Sequence, residues 1–259
     1  MSILDDLLAS LPDDVPVRSV LVGAHWTVVC SRGCGLASTL MSEGPHGHAQ
    51  VRDAGRLHLK SARELAEYAR SDDLLEASIG VAALNSLLDV DKRQAVELDA
   101  AEVLAESGRG KSIAIVGHFP FIPKLRRVAG QLWVIEQRPV EGEYPAEAAA
   151  DLIPQADVVA LTGSALINHT LDGLLRLCRP EALVMVLGPS TPLSPVLFAH
   201  GATIISGVRV IDEAAVLRTV GQGATFQQVE GTQRLTLWRE GGERACPWGI
   251  NLMSVTGNG

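Results

Sequence analysis

The residues best suited to chemistry come directly after short apolar runs in the second half of the sequence. They are Gly117, His118 and Phe119 after the first run, Glu136 after the second, Thr162, Gly163 and Ser164 after the third, and Gly188, Ser190 and Thr191 after the fourth. Open parallel sheets bind ligands outside the carboxyl ends of their strands. We therefore predict that these residues line one ligand site. Glycines that serve turn geometry alone are the alternative.

His118 is the candidate for acid–base catalysis, because imidazole exchanges protons near neutral pH. Gly117 supplies only the first glycine of a dinucleotide-binding fingerprint, and the bulky Phe119 follows it, which disfavours tight NAD binding. Glu136 can accept hydrogen bonds from ribose hydroxyls, and this keeps an S-adenosylmethionine-like nucleoside open as a ligand. A surface ion pair between Glu136 and Arg138 is the competing interpretation.

Two asparagines fall on predicted helices. The pattern over 165–178 predicts a helix with Ser164 as its N-cap, with Asn168 at the flank of the buried face and His169 on the polar, solvated side. Asn85 lies in a second predicted helix, 73–88, that is apolar all the way round. A buried amide must find partners. Asn85 is therefore expected either to bond core backbone or to point into a cleft and bind ligand.

Metal ligation has weak candidates in the first half of the chain. They are His25, Cys30, Cys34, His46 and His48. Cys30 and Cys34 are four apart rather than three, and the two loop histidines lack a matching second pair, so a preformed structural zinc site is not expected. Transient contact with a transition metal stays open. The chain's four cysteines are interpreted as reduced thiols.

The elements that must position these residues alternate as in a doubly wound α/β fold. Apolar runs predict strands at 112–116, 132–135, 158–161, 183–187 and 203–205, with helical stretches between them. The segment 234–238 alternates like a further strand. We predict a Rossmann-like parallel sheet in a domain spanning 109–259, which includes a C-terminal tail.

The first 108 residues have a different pattern, and we assign them to a smaller α+β domain. Strands are predicted at 17–22, 26–30 and 36–41, and Ser61 with Glu64 forms a capping box that begins a helix. The Gly- and His-rich segment 43–55 is predicted to be a mobile loop, and 251–259 a disordered tail.

Composition limits the partners. Hydrophobic residues make up 47% and charged residues 20% of 259 residues, which is ordinary for a globular protein. A net charge of −8 and an aromatic content of 4% argue against nucleic acid. Apolar runs are too short to span a membrane and the start lacks secretory features, so a cytoplasmic protein is expected. The partner expected is a small molecule, and a homodimer is compatible with the apolar helix.

Several motifs together resemble the family of putative heavy-metal chelation proteins. The resemblance is carried by Ile79-Gly80-Val81-Ala82-Ala83-Leu84-Asn85, Gly117-His118-Phe119-Pro120, Thr162-Gly163-Ser164-Ala165, Asn168-His169-Thr170 and Gly188-Pro189-Ser190-Thr191-Pro192. It implies an enolase N-terminal-like domain followed by a Rossmann-like domain, with a cleft between them. The family name implies metal handling, whereas the barrel and metal carboxylates of enolases are absent, so enolase chemistry is not implied.

Three hypotheses remain at this level. The first is that the cleft binds a small polar molecule, with metal chelators of pterin, flavin or siderophore type among the candidates, and serves heavy-metal or metallocofactor handling. The second is an S-adenosylmethionine-dependent, methyltransferase-like enzyme. The third is a nonenzymatic metal carrier. Whether the protein is an enzyme stays open.

Overall fold

The structure is a computed structural model that describes residues 2–41, 50–90 and 95–239. Two sheets organise these residues, one with three strands and one with seven. The loop histidines His46 and His48 and the tail 240–259 lie outside the described residues, as does most of the predicted loop 43–55. No helix among the described residues is long and apolar enough to cross a membrane.

The small sheet is an antiparallel meander of β1 (Ser19–Val22), β2 (Trp26–Cys30) and β3 (Cys34–Ser38). Helix α1 (Ile3–Ala9) precedes it, and α2 (Ala62–Ala66) and α3 (Leu74–Leu87) follow it. The third strand begins earlier than the predicted 36–41, because Cys30 pairs with Cys34 directly across a tight hairpin turn. The Ser61 capping box is present, with Ser61 accepting from the Glu64 amide and Glu64 accepting from the Ser61 amide.

Helix α3 is covered on both sides, as its all-round apolar pattern predicts. Asp73 caps its N-terminus by accepting from the amides of Leu75 and Glu76. A Cβ on Gly35 of β3 would lie 2.0 Å from the Ala82 carbonyl oxygen of α3. The strand backbone therefore packs directly on the helix backbone, which only glycine permits.

The large sheet has the Rossmann-like α/β architecture predicted. Its strands are β4 (Ser112–Val116), β5 (Gln131–Glu136), β6 (Tyr144–Pro145), β7 (Val158–Thr162), β8 (Leu183–Leu187), β9 (Ile204–Val210) and β10 (Thr232–Trp238). Their order is β10-β9-β8-β7-β4-β5-β6, and every neighbouring pair is parallel except β9 and β10. The chain moves outward from β4 in one direction and from β7 in the other. The topological switch point thus lies between β4 and β7, where a ligand crevice is expected.

Within the residues that the structure describes, six helices accompany this sheet. They are α4 (Ala100–Ser107), α5 (Ile122–Val128), α6 (Ala149–Leu152), α7 (Leu171–Leu177), α8 (Val196–Ala199) and α9 (Glu213–Gly221). Helix α9 also packs on β1 and β2 of the small sheet. One buried apolar cluster contains residues of both sheets, from Ile3 to Leu237. The division of the chain at 108/109 stays a prediction.

The predicted helix 165–178 is wrong in its first half. A 3-10 turn covers Gly163–Leu166, and α7 begins only at Leu171. Between them His169 has φ +60°, a left-handed conformation that ends a right-handed helix. The N-cap of the turn is Thr162, whose side chain accepts from the Ser164 amide, so Ser164 is not the capping residue.

The interpretation of all four cysteines as reduced thiols is also wrong. Cys30 and Cys34 form a disulfide, because the tight hairpin places the two residues opposite each other. Cys178 is free, and burial raises the pKa of its thiol to about 11. Cys246 lies outside the described residues.

Candidate functional site

A cavity of about 990 Å³ opens between the two sheets at the carboxyl ends of the large sheet's strands. It brings together most of the predicted site residues, namely Gly117, His118, Phe119, Glu136, Thr162, Ser164, Asn168, Gly188 and Ser190. Ser38 and Leu40, at and just beyond the end of β3, face it from the small sheet. Residues from six strands of the large sheet and from the small sheet thus share one cleft, which we call the interdomain cleft after the predicted division of the chain at 108/109.

The turn after β8 is tied to the small sheet. Ser190 is 2% exposed; its Oγ accepts from the Ser38 amide at 2.8 Å and lies 3.0 Å from the Ser38 Oγ. Gly188, at φ +113°, lets the chain leave the strand into this turn. Because these contacts cross between the sheets, they fix the cleft's back wall.

Asn85, Gly163 and Thr191 lie behind that wall and are not among the lining residues. The Asn85 Nδ2 donates to the carbonyl oxygens of Leu36 at 3.1 Å and Ser190 at 3.2 Å. A Cβ on Gly163 would lie 2.3 Å from the Thr191 Oγ1 and 2.6 Å from the Thr191 backbone nitrogen. Asn85 therefore takes the core-backbone role, and the three residues position Ser190.

Two buried oxygens near this wall lack hydrogen-bond partners among the described residues. They are the Oδ1 of Asn85 and the Oγ1 of Thr191. A buried polar atom without a partner costs about 1–3 kcal/mol, so native proteins rarely keep one without reason. A water or ligand next to the cleft could supply the missing partner, as it could for the equally unpartnered Nε1 of Trp26 in the lining.

His118 is oriented by a carboxylate that the sequence did not reveal. Its Nδ1 lies 3.0 Å from the Oε1 of Glu143, whose side chain is 5% exposed against 65% for His118. The other Glu143 oxygen accepts from the Val140 amide at 3.1 Å. Donation from Nδ1 to the carboxylate leaves Nε2 of the neutral ring as the proton acceptor. The loop that carries Glu143 has no periodic pattern, so no sequence signal marks it.

Aromatic side chains form part of the cleft wall. Phe119 and Phe121 stack with ring centroids 5.0 Å apart and an interplanar angle of 16°. Trp26 meets Phe226 edge to face at 5.6 Å. All four line the cleft, and only Phe119 was predicted. Trp26 opens a predicted strand, which was the one available signal.

Polar side chains complete the lining. Glu136 ends β5 and accepts from the Gln137 amide at 3.2 Å. Asn168 uses its Oδ1 to accept from the Thr170 hydroxyl at 2.7 Å, which leaves its amide hydrogens for a ligand. Arg234, which sequence reasoning missed, lines the cleft with its guanidinium 5.6 Å from the Phe226 ring centroid. The cleft therefore combines a cation, carboxylates, amides and hydroxyls with flat apolar surface.

The predicted metal candidates are dispersed. His25 is exposed and does not line the cleft, and Cys30 and Cys34 are bonded to each other at the other end of β2. Within 2–41, 50–90 and 95–239, the one group of three potential metal ligands is Cys30, Cys34 and Glu213. The described part of the cleft thus offers no such group for a bare metal ion.

His169 lies outside the lining, as expected, although it is not simply solvated. Its Nε2 lies 2.8 Å from the Ala69 carbonyl oxygen in the chain segment before α3. This hydrogen bond joins the turn at His169 to the segment before α3.

Comparisons with known proteins agree with the fold. Two family models described as putative heavy-metal chelation match the chain, DUF4213 over residues 4–88 and DUF364 over residues 99–239. An uncharacterised protein of Methanocaldococcus jannaschii is 31% identical over 189 residues, which cover 70% of this chain and 71% of that protein.

Two solved structures of DUF364 proteins with unknown function are similar over most of the chain. The one from Desulfitobacterium hafniense has a TM-score of 0.81 and 29% identity, covering 92% of this chain and 98% of that one. The one from Pyrococcus horikoshii has a TM-score of 0.78 and 22% identity, with the same coverage of 92% and 98%. The second likeness concerns the fold alone.

Proposed function

Because the chain belongs to the family of putative heavy-metal chelation proteins, we propose that its interdomain cleft binds a small polar molecule that itself chelates a heavy-metal ion. One observation carries the proposal. The cleft is large, about 990 Å³, yet its described residues include no group of three metal-ligating side chains. A site of this size suits an organic ligand, and a metal ion entering it would need ligands from that molecule.

The lining favours a flat ligand with polar edges. The stacked rings of Phe119 and Phe121 offer an aromatic face, and stacking contributes about 0.5–1.5 kcal/mol beyond burial. Asn168 and Glu136 can hydrogen-bond the edges of a heterocycle, and Arg234 can neutralise an acidic substituent. Pterins, flavins and catechol-type siderophores share these features. They are the classes that we propose.

Acid–base work in this cleft falls to His118. Glu143 holds the ring through Nδ1 at 3.0 Å, so Nε2 can exchange a proton with a bound ligand. Metal capture by a catechol or pterin hydroxyl requires loss of a proton. His118 would accept that proton and so couple metal loading to ligand binding.

The test is a tryptophan-fluorescence titration, because Trp26 lines the cleft. The probes are pterin, flavin mononucleotide and catechol, each alone and with Zn²⁺ or Fe³⁺, together with S-adenosylmethionine as the rival ligand. We expect a metal–chelator complex to bind with Kd in the micromolar range, about −8 kcal/mol. Phe119→Leu should weaken binding about tenfold through lost stacking.

Phe198→Leu is the matched control, since Phe198 packs on the core and does not line the cleft. It should leave affinity unchanged. Equal affinities of wild type and Phe119→Leu for every probe would refute the proposed binding mode. If S-adenosylmethionine binds and none of the other probes does, the methyltransferase-like hypothesis is favoured instead.

A further inference from the structure

A second cluster of reactive side chains lies where the β2–β3 hairpin meets α9. The Sγ atoms of Cys30 and Cys34 and a carboxylate oxygen of Glu213 all lie within 4.8 Å of one another. Cys30 is fully buried, whereas Cys34 and Glu213 are partly exposed. The cluster is therefore enclosed by protein at Cys30 and open to solvent at Cys34 and Glu213.

This cluster is separate from the interdomain cleft. Trp26, at the start of β2, lines the cleft, whereas Cys30 is the last residue of the same strand. Four residues of extended strand span about 13 Å. None of the three clustered residues lines the cleft. A ligand in the cleft would not contact them.

The surroundings hold the three residues in place. Cys30 packs in an apolar cluster with Val28, Leu36, Val216 and Val220, which joins the hairpin to α9. Glu213 is the first residue of α9, and one of its oxygens bonds the Arg18 guanidinium at 2.5 Å. The other oxygen is left for a further partner. Ligands held by two packed elements are preorganised, which favours metal binding.

We propose that reduction of the Cys30–Cys34 disulfide creates a binding site for one thiophilic divalent cation such as Zn²⁺ or Cd²⁺. Two thiolates are soft ligands that select such ions, and the Glu213 carboxylate supplies a third donor. A fourth position stays open for water or an exogenous thiol. Arg18 offsets only part of the negative charge of this set, and a divalent cation neutralises the remainder.

The redox step is an exchange with an external dithiol. A thiolate of the dithiol attacks the Cys34 sulfur, which is the more exposed of the two, and the Cys30–Cys34 bond breaks. The second thiol of the reductant then displaces Cys34 from the mixed disulfide. The protein gains two electrons and two protons as a pair of thiols, and the dithiol leaves as its own disulfide. Binding of the cation then releases the thiol protons.

The site therefore binds the cation only when the Cys30–Cys34 disulfide is reduced. The oxidised form lacks free thiolates and cannot ligate the ion, whereas the reduced form ligates it from both the small sheet and α9. An ion bound in this way links the hairpin to the helix across their interface. Metal binding at this site would depend on how much reducing dithiol surrounds the protein.

Cd²⁺ alone is the probe. The Cys178→Ser/Cys246→Ser variant keeps Cys30 and Cys34 as its only cysteines. It is reduced with a phosphine, desalted without oxygen and dialysed against Cd²⁺. We expect about one ion per chain by elemental mass spectrometry, with a sulfur-to-cadmium charge-transfer band in the ultraviolet. The same protein left oxidised should bind less than about a tenth as much and lack the band.

Two further variants probe the ligands in this background. Cys34→Ser should abolish the charge-transfer band, and Glu213→Gln should weaken Cd²⁺ affinity at least about tenfold. Glu230→Gln is the matched control, because Glu230 forms a comparable surface ion pair with Arg218, which lies on α9 as Glu213 does. Circular dichroism is used to check that each variant is folded. Phe119→Leu, which alters the cleft, should bind Cd²⁺ normally.

The proposal is overturned if the reduced protein binds no more Cd²⁺ than the oxidised one. It is equally overturned if folded Cys34→Ser keeps the stoichiometry and the band. Full affinity in Glu213→Gln would remove Glu213 from the ligand set and with it the three-residue site.

Discussion

Gly163→Ala tests the packing that holds the turn after β8 behind the cleft. The new Cβ would lie 2.6 Å from the Thr191 backbone nitrogen and 2.7 Å from its Cα. Nonbonded contacts of this kind settle near 3.5 Å, so the turn after β8 must move by roughly 1 Å. The Thr191 Oγ1, at 2.3 Å, could rotate away, but the backbone nitrogen and Cα cannot, so rotation of the side chain does not relieve the clash.

That movement has a calculable cost. Overpacking of a tight interior site destabilises by about 1–3 kcal/mol. In a protein of this size each kcal/mol lowers Tm by about 2–4 °C, so Gly163→Ala should melt about 2–12 °C below wild type. The shift should also lengthen the contact of 2.8 Å between the Ser190 Oγ and the Ser38 amide. The turn 188–192 would then open more often.

Two measurements test this prediction. Calorimetry gives Tm, and hydrogen exchange by mass spectrometry should show faster exchange in peptides that cover 188–192. Gly173→Ala is the matched control, because a Cβ there meets nothing within 4 Å. In helix α7 that change should stabilise the protein by about 0.5–1 kcal/mol. Wild-type Tm and wild-type exchange in Gly163→Ala would refute the packing argument.

Three further predictions concern charge, redox state and the cleft histidine. Burial acts to raise the pKa of the Glu76 carboxyl, but hydrogen bonds from Arg52 and Ser71 outweigh it and hold the pKa below its ordinary value. The ionised Glu76 therefore stabilises the fold fully above the ordinary carboxyl pKa, and this stabilisation is lost as the pH falls through the lowered pKa. Glu76→Gln should make the unfolding free energy depend less on acid pH and should cost about 1–3 kcal/mol at pH 7. An unchanged dependence of the unfolding free energy on pH would contradict this. Reduction of Cys30–Cys34 should lower the unfolding free energy by about 2 kcal/mol for so short a loop, measured by urea titration with Cys178→Ser as the control. Nitrogen NMR of His118 should show the proton on Nδ1 in the neutral ring, and Glu143→Gln should weaken that preference; equal spectra would exclude the pairing.

The strands of the large sheet were predictable because buried parallel strands read as uninterrupted apolar runs. For the same reason the site residues that follow β4, β5, β7 and β8 could be named in advance, and most of them meet in one cleft. The rule that ligands bind at the carboxyl ends of parallel strands applies to this sheet, because it depends only on the direction of the strands.

Two of the features that were missed depend on contacts between residues far apart in the sequence, and the third depends on a hairpin turn. His169 ends the turn in a left-handed conformation, and its ring meets the Ala69 carbonyl 100 residues away. Cys30 and Cys34 pair because the hairpin register places them opposite each other. The three-residue turn 31–33, which contains Gly33, was the available hairpin signal. Glu143 orients His118 from a loop that has no periodicity. The contacts of His169 and Glu143 leave no local pattern in the sequence.

The central claim is that the interdomain cleft holds an organic chelator, and native mass spectrometry tests it most directly. The untagged protein is purified without chelators, and the same sample is scanned for elements. We predict an organic mass retained on the folded chain, accompanied by a metal ion, with a lower occupancy of both in Phe119→Leu. Metal that is retained without any organic mass while the Cys30–Cys34 disulfide is intact would contradict the account, because the ion would then be held by protein side chains alone at a site other than the reduced cysteine pair.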